Sequence, residues 1–363
     1  RYISVTGVQT CALPICLLEG FIERGHDVDL LVMRKSGELF SQVPGAVRLV
    51  DLAAPKVRNV VWPVARYLRD RRPDAMVVSM WPLTIAGLLA ARLAGTGVSV
   101  VTSDHSTLSK QYGHSPRTLL AIRWTMRWLY PCASGRIIVS NGAADDLARL
   151  SGLKREAITV IPNPIPRVDV NPTAVARAAT HWRGSATRML AVGKFKAEKN
   201  FALLFRACAA LNPTIDWRLV LLGHGELSDE LHSLKEALGI GERVVMPGFE
   251  PDPAPWFEAA DLFVLSSNFE GLPTVLVEAL HGGCGIVSTD CPSGPREILD
   301  GNTRELVPCG DVLAMRTALE RVIADPPDPA TQRARGLVAS GQNSVDRYLD
   351  MMRIKPAECR SSF

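Results

Sequence analysis

Residues 261–283 read DLFVLSSNFEGLPTVLVEALHGG. The first seven form an apolar run that closes on two serines, a strand ending in small polar side chains. Pro273 falls beside the first turn of a helix, where its missing N–H costs nothing, and Gly282-Gly283 ends that helix. Strand, turn and helix amino end make an anion site. The free amides of Gly271, Leu272 and Thr274 can point at a phosphate, and the helix dipole adds to the attraction. Glu270, at the mouth of the turn, can accept hydrogen bonds from sugar hydroxyls. Glu278, two turns into the helix, can reach the hydroxyls of a bound ribose.

Working outward, Leu190–Asn200 reads LAVGKFKAEKN: a strand, Gly193, then Lys194 and Lys199 ahead of a helix. Two cations at the carboxyl end of a strand can neutralise a diphosphate leaving group as its negative charge grows. Lys196 competes for that role, and solvated lysines at a helix start are the plain alternative. Leu222-Gly-His-Gly-Glu226 also follows a strand, and Gly223 allows backbone to approach either a ligand or a neighbouring loop. The segment 289–298, TDCPSGPREI, reads as a turn into a short helix that Arg296 and Glu297 stabilise.

The same alternation of apolar runs and helix-like stretches fills the chain. Strands are predicted over 27–33, 75–80, 98–103 and 136–140 in the first half. In the second half they fall at 188–192, 217–222, 243–246, 261–266 and 285–289. Their Val, Ile and Leu content without polar alternation is that of strands buried on both faces. Helices are predicted at 84–94, 142–151, 197–211, 228–238, 274–281 and 311–324. The fold class is therefore α/β, with doubly wound parallel sheets. Residues 161–166, IPNPIP, cannot continue a helix or sit in a central strand, and they divide the chain into domains 1–164 and 165–340. Two such domains leave a cleft at the carboxyl ends of their strands, where ligands bind. The helical pattern at 344–352, within the tail 341–363, is a candidate for packing back across the boundary. Residues 1–16, RYISVTGVQTCALPIC, offer only Gly7 for a glycine-rich turn. They read as an atypical or non-native start, resembling translated sequencing-adapter read-through, and are set aside; a helix is predicted from near Leu17.

Composition bounds the function. With 47% apolar and 21% charged residues the chain can bury real cores, and no apolar run is long enough to span a bilayer. Eight scattered cysteines without a CxxC pair argue against a disulfide framework or zinc site and fit a reducing cytosol. The histidine spacing gives a metal centre no support. Residues 1–164 carry 20 Lys and Arg against 12 Asp and Glu, whereas the remainder is net acidic. A basic half suits an anionic partner such as a phospholipid surface or a lipid-linked diphosphate, or is an ordinary charged surface. Residues 117–130, RTLLAIRWTMRWLY, are basic and aromatic; such a helix lies in a membrane interface or packs on a sheet with its arginines outward, the reading favoured here.

Glu270 and Glu278, with seven residues between them that include the turn Gly271-Leu272-Pro273, resemble the two-glutamate motif of the retaining glycosyltransferase family 4. Residues 289–298 are similar to a segment frequent among its members that build bacterial surface polysaccharides. The resemblance runs from about Leu17 onward and is strongest over 188–310. It implies a GT-B fold of two Rossmann-like domains, the N-terminal one on the acceptor side and the C-terminal one holding a nucleotide-sugar donor. In the family's pattern the second glutamate, here Glu278, holds the ribose and the first, Glu270, contacts the donor sugar. Lys194 and Lys199 take the places of the diphosphate-binding cations, although the family usually has Arg at the first. Lys194 loses the bidentate fork of that Arg. A histidine near the donor sugar maps onto His105, which follows the strand 98–103; a strand-end cap is the alternative, and His114 a weaker rival.

The implied reaction moves a hexose or N-acetylhexosamine, with UDP favoured as the carrier, onto a glycan or lipid-linked acceptor. It retains anomeric configuration by front-face attack, with no cofactor, no metal and no nucleic-acid partner. The implied location is cytoplasmic, free or in peripheral contact with the inner face of the plasma membrane. The same fold also serves nucleotide-sugar epimerases and phosphorylases. An inactive nucleotide-sugar-binding protein is a further alternative, raised by the missing opening strand and glycine-rich turn.

Overall fold

A computed structural model of the chain describes residues 2–6, 13–35, 43–165, 168–182, 184 and 186–352. It divides into two units, 1–164 with 341–363 and 165–340.

Unit 1 is built on a seven-stranded sheet: β1 (Tyr2–Thr6), β2 (Val28–Val32), β3 (Arg48–Asp51), β4 (Ala75–Ser79), β5 (Ser99–Asp104), β6 (Gly135–Ile138) and β7 (Thr159–Val160). The spatial order is β3-β2-β1-β4-β5-β6-β7, every pair parallel. Strands β2, β4 and β5 are buried at every position, as doubly covered strands should be. Between them run α1 (Leu13–Glu23), α2 (Val61–Arg71), α3 (Leu83–Ala94), α4 (Leu108–Gln111), α5 (Pro116–Leu129) and α6 (Asn141–Ser151).

Residues 1–16, set aside on the sequence, hold an inner strand of the sheet. Tyr2–Thr6 pairs with β2 on one side and β4 on the other, and α1 starts at Leu13 rather than near Leu17. The residues Tyr, Ile, Ser, Val and Thr are mostly β-branched or aromatic strand formers, and Pro14 stands in a first helical turn that tolerates it. Gly7 and the turn after β1 lie outside the described residues.

The last helix of the chain, α15 (Ser344–Met352), belongs to unit 1. Val345, Tyr348, Leu349 and Met352 join one core cluster with Leu17, Leu18 and Phe21 of α1 and with Leu30, Val77 and Val101 of the sheet. Gly20 gives Val345 its room: a Cβ there would lie 2.6 Å from a Val345 methyl. At the edge of this contact Arg24 Nε donates to Asp346 over 2.5 Å.

Unit 2 repeats the plan with β8 (Thr187–Val192), β9 (Trp217–Leu222), β10 (Val244–Gly248), β11 (Leu262–Leu265), β12 (Gly285–Thr289) and β13 (Leu306–Val307). Their order is β10-β9-β8-β11-β12-β13, again all parallel. Helices α7 (Pro172–Ala179), α8 (Phe201–Ala209), α9 (Ser228–Ala237), α10 (Ala254–Ala259), α11 (Thr274–Gly282), α12 (Pro295–Ile298), α13 (Val312–Ala324) and α14 (Pro329–Ala339) cover it. Asp311 and Asp328 cap α13 and α14 by accepting from the amides of Ala314 and Thr331, the stabilising contact expected at such positions.

The helix predicted over 197–211 is broken. A single 3-10 turn, Ala197–Lys199, precedes Asn200, which takes the left-handed conformation at φ 44° and caps α8 through Leu203 N. Asn is among the few side chains that tolerate that backbone. The break turns Lys199 away from the α8 axis and back over the end of β8, where its stem lies 3.5 Å from the position a Gly193 Cβ would take.

Candidate functional site

In both sheets the strand order reverses beside the first strand, and ligands of open α/β sheets bind outside the carboxyl ends at that switch point. In unit 2 the switch lies between β8 and β11, the strands followed by the two stretches singled out on the sequence. The segment after β8 brings Lys199 and the segment after β11 brings Glu270. They meet: Lys199 Nζ lies 2.6 Å from Glu270 Oε1. The two side chains are 20% and 13% exposed, so little water weakens the pair.

The crossing is laced at several points. Ser267 Oγ donates to the same Glu270 oxygen over 2.6 Å. Ser266 Oγ donates to Lys199 O over 2.7 Å, and Asn268 N donates to Glu198 O over 2.7 Å. Asn200 Nδ2 donates to Asn268 Oδ1 over 3.0 Å. A cation and an acid are thus fixed at the mouth of the crevice by backbone on both sides.

The turn leading into α11 is held from behind by 289–294. Thr289 Oγ1 donates to Ser267 O over 2.6 Å and Ser293 Oγ to Gly271 O over 2.9 Å. Gly294, at φ 96°, packs against Pro273: a Cβ would lie 2.5 Å from the proline Cδ. Pro273 is the cap residue of α11, extended at ψ 94°, and Leu276 N bonds back to its carbonyl. The amides of Leu272 and Thr274 donate to no group among the described residues, leaving two donors at the positive end of the helix. Arg296 pairs with Asp290 at the start of α12, the helix-stabilising part read for it.

Glu278 sits one turn inside α11, not the two read on the sequence, because the helix starts at Thr274, and its side chain takes a hydrogen bond from Thr274. The residue keeps some exposure, yet burial around its carboxyl pushes the pKa up to about 7, with nearby Asp252 adding to the rise. A carboxyl held at such a cost is a mark of a ligand site.

Lys194 does not join Lys199. It stands exposed, and its ammonium has no partner among the described residues. Gly223, at φ 135°, is a glycine because of its neighbour: a Cβ would overlap the carbonyl oxygen of Gly193. The loops after β8 and β9 pair through backbone, Gly193 N to Leu222 O and Phe195 N to His224 O. This close approach accounts for the glycine, so Gly223 supports the Lys199 loop from beneath. Ser267, Thr289 and Ser293 were not singled out on the sequence. Their only signal was a small hydroxyl residue at or just beyond a strand end.

In unit 1, His105 follows β5. Its Nε2 lies 3.3 Å from Ser103 Oγ, and its buried Nδ1 has no hydrogen-bond partner among the described residues. Burial lowers its pKa to about 4, so the ring is neutral at physiological pH. On the opposite face, Asp104 accepts from Tyr130 OH over 2.6 Å and from Trp81 N over 3.1 Å; burial raises its pKa to about 6. His114 is exposed. Among the described residues no three His, Cys, Asp or Glu side chains gather to hold a metal ion. Among the described residues Cys208, Cys284, Cys291 and Cys309 form no disulfide.

Two parallel Rossmann-like sheets, each with its own switch point, define the class of GT-B glycosyltransferase folds. The HepE protein of Anabaena, solved in complex with UDP and glucose, superposes with a TM-score of 0.73 at 18% identity, over 97% of this chain and 96% of that one. WaaG, a glycosyltransferase involved in lipopolysaccharide biosynthesis, does so with a TM-score of 0.74 at 14% identity, over 97% and 100%. The family model for Glycosyltransferase Family 4 matches residues 15–167, and that for Glycosyl transferases group 1 matches residues 174–337. The chain belongs to this group 1 and family 4 glycosyltransferase family. Among its relatives is the N-acetylgalactosamine-N,N'-diacetylbacillosaminyl-diphospho-undecaprenol 4-alpha-N-acetylgalactosaminyltransferase of Campylobacter jejuni. It is 32% identical over 210 residues, 58% of this chain and 56% of that protein. The lipopolysaccharide core biosynthesis glycosyltransferase LpsE of Rhizobium meliloti is 35% identical over 227 residues, 60% and 64%. The matched part thus spans less than two thirds of either relative's length.

Proposed function

We propose that the chain transfers a hexose or N-acetylhexosamine from a UDP-sugar to a glycan or lipid-linked acceptor in the biosynthesis of a surface polysaccharide, with retention at the anomeric carbon. The observation that carries this reading is the Lys199–Glu270 pair at the switch point of unit 2, beside the free amides that open α11. In the proposed complex Lys199 and the amides of Leu272 and Thr274 face the diphosphate, Glu270 the donor sugar and Glu278 the ribose. No residue of the site is set up as a covalent nucleophile, so the acceptor hydroxyl attacks on the face the diphosphate leaves. A leaving phosphate oxygen takes its proton. The protein supplies position and electrostatics; no cofactor or metal enters this scheme. Relatives that act on lipopolysaccharide or undecaprenol-linked glycans support the acceptor class.

Incubating purified protein with UDP-sugars and a lipid-linked glycan extract should give a glycan extended by one α-configured sugar only when the acceptor is present. Conversion of the UDP-sugar alone would favour an epimerase instead. Binding without either reaction would favour an inactive receptor; of the two features that raised this reading, the opening strand is present at Tyr2–Thr6 and the glycine-rich turn lies outside the described residues.

The reading extends to a peripheral contact between unit 1 and an anionic lipid surface at the cytoplasmic side. Helix α5 buries Ile122 and Met126 and turns its arginines outward, the packing favoured on the sequence. It also exposes Leu120, Trp124 and Trp128, at 68%, 66% and 56%. Spaced four apart, these form one stripe, flanked by Arg117, Arg123 and Arg127 with no acidic residue in the helix. Tryptophan with arginine suits the headgroup region of anionic lipid. No described helix is long and apolar enough to cross a membrane. The protein should co-sediment with phosphatidylglycerol vesicles and not with phosphatidylcholine ones, and replacing Trp124 and Trp128 by alanine should weaken that binding about tenfold or more. Equal binding to both vesicles, or self-association through this stripe in place of lipid binding, would contradict it.

A further inference from the structure

Alternation along the end of β5 sends Ser103 and His105 to one face of the sheet and Asp104 to the other. The Asp104 face is closed by Tyr130 and Trp81. The Ser103 face is covered by α15, the last helix of the chain, and there Tyr348 OH lies 2.7 Å from Ser103 Oγ. Ser103 Oγ in turn lies 3.3 Å from His105 Nε2. Tyr348 and Ser103 are buried, at 0% and 1% exposure, so no solvent competes for this chain of groups. At its far end, His105 Nδ1 is buried without a hydrogen-bond partner among the described residues. A buried nitrogen left unpaired costs about 1–3 kcal/mol, and a site retains such a group when a ligand atom completes it.

We propose that Tyr348 is a positioning residue for His105, acting through Ser103. A neutral imidazole has one donor and one acceptor nitrogen. Either oxygen of the Tyr348–Ser103 pair can donate; in the proposed chain the phenol hydroxyl donates to Ser103 Oγ, and the Ser103 hydroxyl donates to the lone pair of His105 Nε2. The ring proton therefore resides on Nδ1, the nitrogen left unpaired, which is presented as a donor to a ligand oxygen. The C-terminal helix thereby sets the ring's orientation and its tautomer, and this role is carried by a residue 243 positions downstream of the histidine. The proton placement rests on contacts within unit 1 and stands whether or not the transferase reading above holds.

The test is a long-range nitrogen–proton NMR spectrum of the imidazoles in the ligand-free full chain, with His105→Asn identifying the His105 signals. The expected result is a protonated Nδ1 and an unprotonated Nε2. Tyr348→Phe, which keeps the ring's shape, and Ser103→Ala should each shift His105 toward a mixture of both tautomers. A wild-type His105 carrying its proton on Nε2 would overturn the proposal, and so would a tautomer unmoved by either variant. If the chain transfers sugar as proposed, Tyr348→Phe should also lower kcat by up to about 100-fold through misplacement of the ring, with the Kd for UDP unchanged. Absence of transfer in the wild type, with the tautomer as expected, would count against the transferase reading alone.

Discussion

Lys199→Met is expected to lower kcat/KM by about 100- to 1,000-fold, the usual cost of removing one fixed group that stabilises transition-state charge. Methionine keeps a stem of similar length over Gly193, so the change removes the ammonium and little packing. It leaves Glu270 with Ser267 as a remaining donor, and a partly buried carboxylate without its cation destabilises the turn as well as the leaving group. The Kd for UDP should rise along with the loss of turnover. Lys194→Met provides the contrast. That side chain is exposed and unpaired among the described residues, and its removal should change kcat/KM by less than about tenfold. Steady-state kinetics on the two variants separates them; equal effects would mean that the paired lysine has no special part.

Glu278→Gln should stabilise the fold at alkaline pH while impairing nucleotide binding. Burial holds the Glu278 pKa at about 7, above the ordinary 4.5. The folded state therefore binds more protons than the unfolded chain between these values, and stability falls as pH rises through that window. The full cost of ionisation in the fold is up to about 3 kcal/mol, from the energy of a pKa unit. Gln lacks the charge, so the variant should be about 1–3 kcal/mol more stable than wild type at pH 8 and indistinguishable from it below pH 5. Urea unfolding at the two pH values measures this. Ribose hydroxyls donating to the carboxylate favour its ionised form, so wild-type affinity for UDP should weaken as pH falls below 7, with a proton released on binding near pH 6.5. Affinity independent of pH over this range, or stability curves that run parallel for the wild type and the Glu278→Gln variant, would remove Glu278 from the ribose site.

The strands of both sheets were legible because strands covered on two faces are nearly continuous in Val, Ile and Leu. The helix opening at Thr274 was legible because Pro273 and Gly282-Gly283 punctuate it. What escaped was mostly short or edge structure. β3, β7 and β13 have two to four residues each, too few for periodicity to mark. Tyr2–Thr6 was lost because an odd flanking sequence outweighed five good strand formers. Asn200 was read as helical because its left-handed backbone depends on what it caps. At the site, the glutamates and Lys199 were found through their spacing around a turn. No local pattern could say that Lys199, 71 residues before Glu270, touches it while Lys194 does not. That distinction arises from the parallel pairing of β8 with β11. Ser103 and Tyr348 were hidden for the same reason, since only the return of α15 onto the first unit brings them together.

The proposed transfer requires a pyrophosphate held where α11 begins, between Lys199 and the amides of Leu272 and Thr274. A crystal structure of the protein with UDP bound tests it most directly. The β-phosphate is expected within hydrogen-bond distance of Lys199 Nζ and the Thr274 amide, with both ribose hydroxyls on Glu278. UDP bound in unit 2 with its phosphates away from α11, or with its ribose out of reach of Glu278, would contradict it.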